Sequence, residues 1–256
     1  MTIKPFAHQL VSLKHANKTP VVLDASDAGT GKTYVTIVAF AKRRARGGGC
    51  MLVMGPRSTL RSVWLADFRK FAPHLKVVVA DAANREEAFN TEADVYVTNH
   101  DASKWLAKQK KAFFAKFSEV AMDESPAYKH YTSDRSKAML KIIKYFKFRR
   151  AMTATPNTNT VVDIFHQALL LDDGKRLGKL YFPFRQQVAT PVQSTRKDGS
   201  AIANAIKWVD KEGAEEAVFN LLADIVIRHK LDDCADIPEN HQYPLMYSMS
   251  KTQQKA

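Results

Sequence analysis

A glycine-rich segment near the start of the chain carries residue types that suit phosphate chemistry. Its residues are Ser26, Asp27, Ala28, Gly29, Thr30, Gly31, Lys32 and Thr33. Its glycines let backbone N–H groups turn toward phosphates, Lys32 can reach the β- and γ-phosphates, and the Thr33 hydroxyl can bind Mg²⁺. The general pattern G-x-x-x-x-G-K-T has a glycine where this chain has Ser26, and such spacing also arises by chance. An apolar run before the segment and a helical pattern after it favour a loop that binds ATP and Mg²⁺.

Two adjacent carboxylates end a second apolar run, residues 119–124. A phosphate loop needs a carboxylate at the end of a neighbouring strand to hold the metal, which predicts Asp123 as a Mg²⁺ ligand. Glu124 is then the group that orients or deprotonates the attacking water. An Asp-Glu pair alone is more typical of a strand followed by an acidic helix cap. Its combination with the phosphate loop favours catalysis.

A third segment, residues 152–156, places hydroxyl groups at the end of the next apolar run. Thr153 and Thr155, separated by Ala154, are predicted to sense whether the γ-phosphate site is occupied. Taken alone, the segment is more typical of a strand end and a turn. Its position after the other two segments favours a functional role.

The elements that must position these residues alternate along the chain. Apolar, β-branched runs typical of buried parallel strands lie at 21–25, 51–55, 76–80, 94–98, 119–123 and 149–153. Helical spacing occurs at 33–46, 60–71, 102–117, 133–146, 161–171 and 214–229. The alternation predicts a three-layer α/β domain with a mainly parallel sheet over residues 1–170. Residues 171–256 are predicted to form a mostly helical connector with an irregular part.

Composition excludes several classes of protein. The 256 residues are 45% hydrophobic and 25% charged, unlike a disordered or collagen-like chain. No apolar run is long enough for a membrane span and the N-terminus lacks a signal peptide's apolar core, so we expect no membrane contact and a cytoplasmic location. Cys50 and Cys234 lie far apart without a metal-binding pattern, and His8, His100 and His130 lack ligand spacing, so neither a disulfide nor a zinc site is predicted.

Positive charge is concentrated in the first 150 residues, which carry 27 basic and 13 acidic side chains. The remaining residues carry 12 and 13. Many of the basic residues form one set: Lys104, Lys108, Lys110, Lys111, Lys116, Lys137, Lys141, Lys144, Lys147, Arg149 and Arg150. Each lysine alone is more typical of a solvated helical face, whereas the set as a whole suits contact with a nucleic-acid backbone.

The three segments in this order resemble the first RecA-like lobe of superfamily 2 helicases, and within them the Swi/Snf-like DNA translocases. Residues 4–9 resemble the family's Q motif, which implies that Gln9, with Phe6 beside it, binds the adenine. The family's usual motif, D-E-A-H, stands here as Asp-Glu-Ser-Pro, with Pro126 in place of the histidine that couples ATP to DNA. Ala154 replaces a common glycine.

The resemblance also implies the DNA contacts and the surroundings of the lobe. Residues 57–71 resemble the segment after motif Ia, and residues 97–100 resemble motif Ib. The resemblance places Arg57, Ser58, Thr98, Asn99 and His100 on DNA. Residues 177–179, 184–185, 214–228 and 237–239 resemble the connector of virus-encoded members, which would work in the host cytoplasm.

The second lobe of such motors is not recognisable in the sequence. No Q-x-x-G-R-x-x-R string occurs, and residues 250–256 resemble the start of a helix leading into that lobe. We therefore expect a truncated chain or one half of a split enzyme, which needs a second RecA-like lobe in cis or in trans and is monomeric. Because an arginine finger supplies about 10³ to 10⁵ in rate, turnover by this lobe alone should be slow.

Two other functions remain open from the sequence. A restriction-type or recombination helicase shares the same first lobe. A DNA- or partner-binding protein with a relic phosphate loop is the non-catalytic alternative. Intact Lys32, Thr33, Asp123 and Glu124 argue against a relic. The motifs do not distinguish single-stranded from double-stranded DNA as the ligand. They also do not distinguish strand separation from translocation.

Overall fold

A seven-stranded parallel sheet is the centre of the molecule. The computed structural model describes residues 4–157, 159–195 and 201–234. The strands are β1 (Val21–Asp24), β2 (Cys50–Gly55), β3 (Val77–Ala80), β4 (Val95–Asn99), β5 (Phe117–Asp123), β6 (Phe148–Met152) and the late strand β9 (Val226–Ile227), in the order β3-β4-β2-β5-β6-β1-β9. All six strands predicted from the sequence are present, so the α/β fold class is confirmed.

Helices cover both faces of this sheet. They are α1 (Ala7–Lys18), α2 (Lys32–Arg44), α3 (Ala66–Phe71), α4 (Arg85–Asn90), α5 (Ala102–Leu106), α6 (Asp134–Ile142) and α7 (Ile164–Asp172). A π-helical stretch, Leu60–Leu65, leads into α3. In β2 alternate side chains enter opposite cores, with Leu52 in one and Val53 in the other. The strand is buried along its whole length, as expected for a parallel sheet with two covered faces.

The predicted helix over 102–117 is wrong as one element. Helix α5 ends at Leu106, and a 3₁₀ helix follows at Lys111–Lys116 after a polar turn. Phe113 and Phe117 pack against Phe89 across the core, with ring centroids 5.5 and 6.5 Å apart. Tertiary packing of these aromatic rings breaks the helix that the local spacing predicted.

The C-terminal part contains more than helices. Helix α8 (Tyr181–Val188), an antiparallel pair of strands β7 (Ala189–Thr195) and β8 (Ala201–Asp210), and helix α9 (Ala214–Leu221) follow α7. The part of 172–213 expected to be irregular therefore includes a helix and a hairpin, and the predicted helix 214–229 stops at Leu221. Residues 237–239 and 250–256, assigned to the connector and to the next helix, lie outside the described residues.

Strand β9 joins the C-terminal part to the main sheet. It runs parallel to β1, with Leu23 opposite Val226 and Asp24 opposite Ile227. Its β-branched residues suit a strand, and pairing with β1 satisfies backbone groups that a helix would have bonded internally. The division at residue 170 stays a prediction. Within the described ranges, no helix is both long and apolar enough to cross a bilayer.

Two arginines of the predicted basic set are buried. Arg149 and Arg150 are 7% and 3% exposed. Arg149 pairs with Asp173 at 2.9 Å and donates to backbone carbonyls, and Arg150 pairs with the buried Glu119 at 3.4 Å. Their assignment to a DNA-facing surface is therefore wrong, because their charges are used inside the fold.

Candidate active site

The glycine-rich loop connects β1 to α2 at the carboxyl edge of the sheet. Gly29 and Gly31 have φ values of +85° and +86°, which side chains rarely adopt. A Cβ on Gly31 would also lie 2.3 Å from Gln9 Nε2. Helix α2 begins at Lys32, so its free N–H groups face the loop. The loop thus has the shape and the dipole of an anion-binding site.

The Lys32 side chain folds back onto its own loop. Its ammonium group donates to the carbonyl oxygens of Ser26 at 2.6 Å and Asp27 at 2.9 Å. The Thr30 hydroxyl closes the same turn by donating to the Asp27 carbonyl at 2.8 Å. An arriving phosphate would compete for the ammonium group with neutral carbonyls, over which a charged oxygen has the advantage.

Gln9 and His8 connect helix α1 to the loop. The Gln9 amide donates to the Thr30 carbonyl at 3.2 Å and accepts the Phe6 N–H at 3.1 Å, and His8 Nε2 lies 2.8 Å from the same carbonyl. Gln9 is 8% exposed, whereas Phe6 is 64% exposed. Gln9 therefore positions both the loop and Phe6, whose exposed ring stacks on that of His8 with centroids 5.9 Å apart.

A cavity of about 370 Å³ lies beside the loop. Its walls combine predicted residues with four that the sequence did not single out, namely Tyr34, Asp67, Lys70 and Phe71. The Tyr34 and Phe71 rings meet edge to face with centroids 5.0 Å apart. Burial raises the pKa of Asp67, and Lys70 opposes that shift. Three of the four lie on α3, far along the chain, so no local signal marked them.

Asp123 ends β5, at the same edge of the sheet as the loop. Its Oδ2 accepts the Trp64 indole N–H at 2.9 Å, and its Oδ1 accepts the Glu124 N–H at 3.1 Å. His100 Nε2 lies 2.7 Å from the Asp123 carbonyl oxygen. Sequence reasoning placed Trp64 only in a motif and missed this contact. Two hydrogen bonds thus hold the carboxylate, and His100 contacts the backbone of the same residue.

Glu124 adopts an unusual backbone conformation, with φ +47° and ψ +58°. Such left-handed geometry is unfavourable for a glutamate and is common where a side chain must be aimed at a ligand. The Glu124 carboxylate is exposed. Thr153, which directly follows β6, donates its hydroxyl to Glu124 Oε2 at 3.5 Å. Thr153 is fully buried, and its hydroxyl accepts the Thr155 N–H at 3.0 Å.

Gln167 on α7 connects the segments that follow β5 and β6. It accepts the Ser125 hydroxyl at 2.6 Å and donates to the Pro156 carbonyl at 2.9 Å. The buried amide thus joins the residues after Glu124 to the residues after Thr155. Ala154 lies between these contacts, half-buried. The sequence had drawn no attention to Gln167.

Of the five predicted DNA contacts, three reach the surface. Arg57 and Ser58 are exposed and Asn99 is half-buried. Thr98 is fully buried and donates its hydroxyl to the Ala80 carbonyl at 2.6 Å. His100 is 8% exposed, and burial lowers the pKa of its imidazole. In this structure Thr98 and His100 bond within the lobe.

Oxygen donors for a hard cation are present at the loop. Thr33, at the first turn of α2, lines the cavity, and Asp123 carries a carboxylate beyond it. Mg²⁺ characteristically takes one or two protein oxygens and completes its shell with phosphates and water. Among the described residues no cluster of three His, Cys, Asp or Glu side chains could hold a metal alone. The donor set therefore fits Mg²⁺ that arrives with a nucleotide.

Comparison with known proteins identifies the family. Residues 4–158, more than half of the chain, match the family described as type III restriction enzyme, res subunit. The chain belongs to this family. Helicase relatives and a solved SWI2/SNF2 core resemble the chain, in agreement with the Swi/Snf-like resemblance of the motifs.

Relatives of the chain come from a phage and from yeast. Protein p41 of Acyrthosiphon pisum secondary endosymbiont phage 1 is 28% identical over 200 residues, which cover 72% of this chain and 42% of that protein. ATP-dependent helicase FUN30 of Saccharomyces cerevisiae is 32% identical over 166 residues, 60% of this chain and 14% of that protein. The chain thus spans less than half the length of either relative.

A solved structure shares the fold. The Sulfolobus solfataricus SWI2/SNF2 ATPase core in complex with dsDNA is 22% identical to this chain and has a TM-score of 0.71. The likeness covers 90% of this chain and 45% of that one. It confirms the RecA-like architecture.

Proposed function

We propose that the chain binds Mg-ATP and hydrolyses it in response to DNA, as the N-terminal lobe of a DNA helicase or translocase. The observation that carries this proposal is the convergence of Lys32, Glu124 and Thr153 at the carboxyl ends of the adjacent strands β1, β5 and β6. Ligand sites of open parallel sheets lie at this edge. The cytoplasmic location stays a prediction.

Each of these residues has a defined task in the proposed reaction. Lys32 leaves its two loop carbonyls to neutralise phosphate charge, and the Thr33 hydroxyl and the Asp123 carboxylate are the oxygens that would hold Mg²⁺. The Glu124 carboxylate, exposed and aimed by its backbone, accepts the proton of the attacking water. Thr153 stabilises that carboxylate by donating a hydrogen bond to it.

DNA is proposed to bind along the neighbouring strand ends. Arg57 and Ser58 follow β2, and Asn99 ends β4, which is the next strand in the sheet. Contacts of this kind to the phosphate backbone position DNA without reading its sequence. A second RecA-like lobe would close the cleft and supply the arginine finger, so we expect slow hydrolysis by the chain alone.

Nucleotide titration of matched lysine variants tests the proposal. In calorimetry with Mg²⁺ and a non-hydrolysable ATP analogue, Lys32→Ala should weaken binding by more than about tenfold, because it removes a charge-assisted bond to phosphate. Lys175→Ala, an exposed lysine beyond α7, should bind like the wild type. Unchanged affinity in Lys32→Ala would refute the site, and DNA binding that ignores ATP would favour the relic.

The family match favours one alternative within the same enzyme class. Because residues 4–158 match the restriction-enzyme family, a restriction-type motor is the second candidate. Strand-displacement and triplex-displacement assays, run with a second lobe supplied, separate the two. Displacement of a triplex-forming strand without unwinding indicates duplex translocation, and release of a paired strand indicates a strand-separating helicase.

A further inference from the structure

The chain that follows β9 lies directly against the phosphate loop. We call residues 228–231 the brace segment. Asp27 N–H donates to the His229 carbonyl at 2.9 Å, and His229 N–H donates to the Ser26 hydroxyl at 3.1 Å. Leu231 N–H donates to the Asp27 carboxylate at 2.9 Å. Three hydrogen bonds, each donated by a backbone N–H, therefore fasten the C-terminal part to two adjacent residues of the loop.

Side chains extend the same contact. A Cβ on Gly29 would lie 3.5 Å from Leu231 Cδ1, so the leucine lies over the glycine turn. The His229 ring reaches the other way, with Nε2 2.9 Å from the Ser12 hydroxyl on α1 and its ring 5.5 Å from that of His8. The brace segment thus contacts the loop without lining the cavity beside it.

Ser26 and Asp27 are shared between the brace segment and Lys32. Their carbonyl oxygens accept the Lys32 ammonium group, while the Ser26 hydroxyl and the Asp27 carboxylate accept the brace N–H groups. A phosphate that draws Lys32 away changes the bonding of the same two residues. Ser26, where the general pattern has a glycine, thus has a use that a glycine could not supply.

We propose that the brace segment positions the phosphate loop for nucleotide, so that nucleotide binding and docking of the brace segment favour each other. Both stabilise one loop conformation, and two ligands that select the same conformation are positively coupled. The inference rests on the proposed function, since it concerns the same ATP site. Docking of the C-terminal part of the chain on the loop thus depends on whether nucleotide is bound.

A natural thiol can report the docking. Cys234 lies three residues beyond Leu231 and is partly exposed, whereas Cys50 is 8% exposed. Because Cys234 follows the brace segment, undocking of that segment should raise the rate at which a thiol reagent modifies Cys234. A Cys234→Ser variant gives the background from Cys50.

The experiment combines this rate with calorimetry on the 256-residue chain. A saturating Mg²⁺-bound, non-hydrolysable ATP analogue should slow Cys234 labelling by about fivefold or more, the lower end of allosteric coupling. Leu231→Ala should lose that protection and, by reciprocity, bind the analogue more weakly by a similar factor. Leu221→Ala, a 57% exposed leucine on α9, is the matched control and should keep both.

The outcomes separate this inference from the proposed function. Bound analogue with an unchanged labelling rate would overturn the brace and leave the ATP site intact. Protection that persists in Leu231→Ala at saturation would mean direct shielding of the thiol and would also overturn it. No calorimetric binding to the wild type would refute both proposals.

Discussion

Strand β5 carries acidic residues at both ends, and the two ends use their charge in opposite ways. Glu119, near the start, is 1% exposed and pairs with Arg43 at 2.6 Å and Arg150 at 3.4 Å. Glu124, just after the end, is exposed and touches only a threonine hydroxyl at 3.5 Å among the contacts described. A glutamate carboxylate is thus paired with protein cations at one end of the strand and left available for a ligand at the other.

The difference shows where this lobe stabilises itself and where it reserves charge for a ligand. A buried carboxylate must be matched by protein groups, because water is absent and an unpaired charge is costly. Burial lowers the pKa of Arg150, and Glu119 opposes that shift. At the carboxyl end, Lys32 and Glu124 have weak or neutral partners, which a charged ligand can replace. Substitutions at the two ends should therefore have separable effects.

Glu124→Gln should give the largest effect, and on turnover only. Single-turnover hydrolysis with DNA present should fall by about 10² to 10⁴, because the amide cannot accept the proton of water. ATP affinity and the melting temperature should stay close to wild type. Glu216→Gln on α9, an exposed glutamate that does not line the cavity, is the control. Equal loss in both variants would contradict the role of Glu124.

Glu119→Gln should give the opposite result. It leaves Arg43 and Arg150 without their buried counter-charge, and breaking such a pair costs about 3 to 5 kcal/mol of unfolding free energy. Urea denaturation measures this loss. Asp101→Asn, which breaks a pair between a 52% exposed carboxylate and Arg135, should cost less than about 1 kcal/mol. Similar losses would remove the contrast between buried and exposed charge.

Trp64→Phe should weaken Mg²⁺ binding at the carboxyl end of β5. The ring remains in the core while the bond to Asp123 Oδ2 is lost, which is worth about 1.5 to 3 kcal/mol for a charged acceptor. We expect a higher Mg²⁺ concentration for half-maximal binding of the ATP analogue. Trp105→Phe, which alters a ring packed on Phe89 away from the site, should leave that concentration unchanged.

The smallest effect concerns a buried imidazole that belongs to neither end. His166 is 2% exposed, and burial lowers its pKa to about 4. Because the folded pKa lies below the unfolded value of about 6.5, the unfolded chain binds more protons as pH falls through this range. Stability is thus fully present above pH 6.5 and is lost on acidification toward pH 4.

Urea denaturation of His166→Gln at pH 7 and pH 5 tests this sign. The wild type should lose about 1 to 2 kcal/mol more than the variant between these two pH values. A variant with an equally steep pH dependence would show that other groups, such as the buried His100, account for the loss.

Much of the fold followed from local pattern. The six predicted strands are buried and apolar, and a short β-branched run between polar turns has few other options. The helix 214–229 failed for a physical reason, since residues 226–227 satisfy helical spacing and strand propensity equally well. An open edge beside β1 decided between them.

The candidate site divides in the same way. Lys32, Thr33, Asp123 and Glu124 were predictable because phosphate and metal chemistry needs those residue types next to strand ends. The roles of Trp64, Gln167 and the brace segment were not predictable, because each includes a bond to a residue more than 40 positions away in the chain. The burial of Thr98, His100 and Arg150 was likewise invisible to motif matching.

The sequence by itself determined the order of the strands along the chain, the phosphate loop, the acidic pair and the family. These depend on near neighbours, on which spacing and residue type act directly. Only the tertiary structure decided which charges are used internally, which residues line the cavity, and that the chain after β9 returns to the loop. Those outcomes depend on contacts between distant segments, where burial and hydrogen-bond satisfaction outweigh local preference.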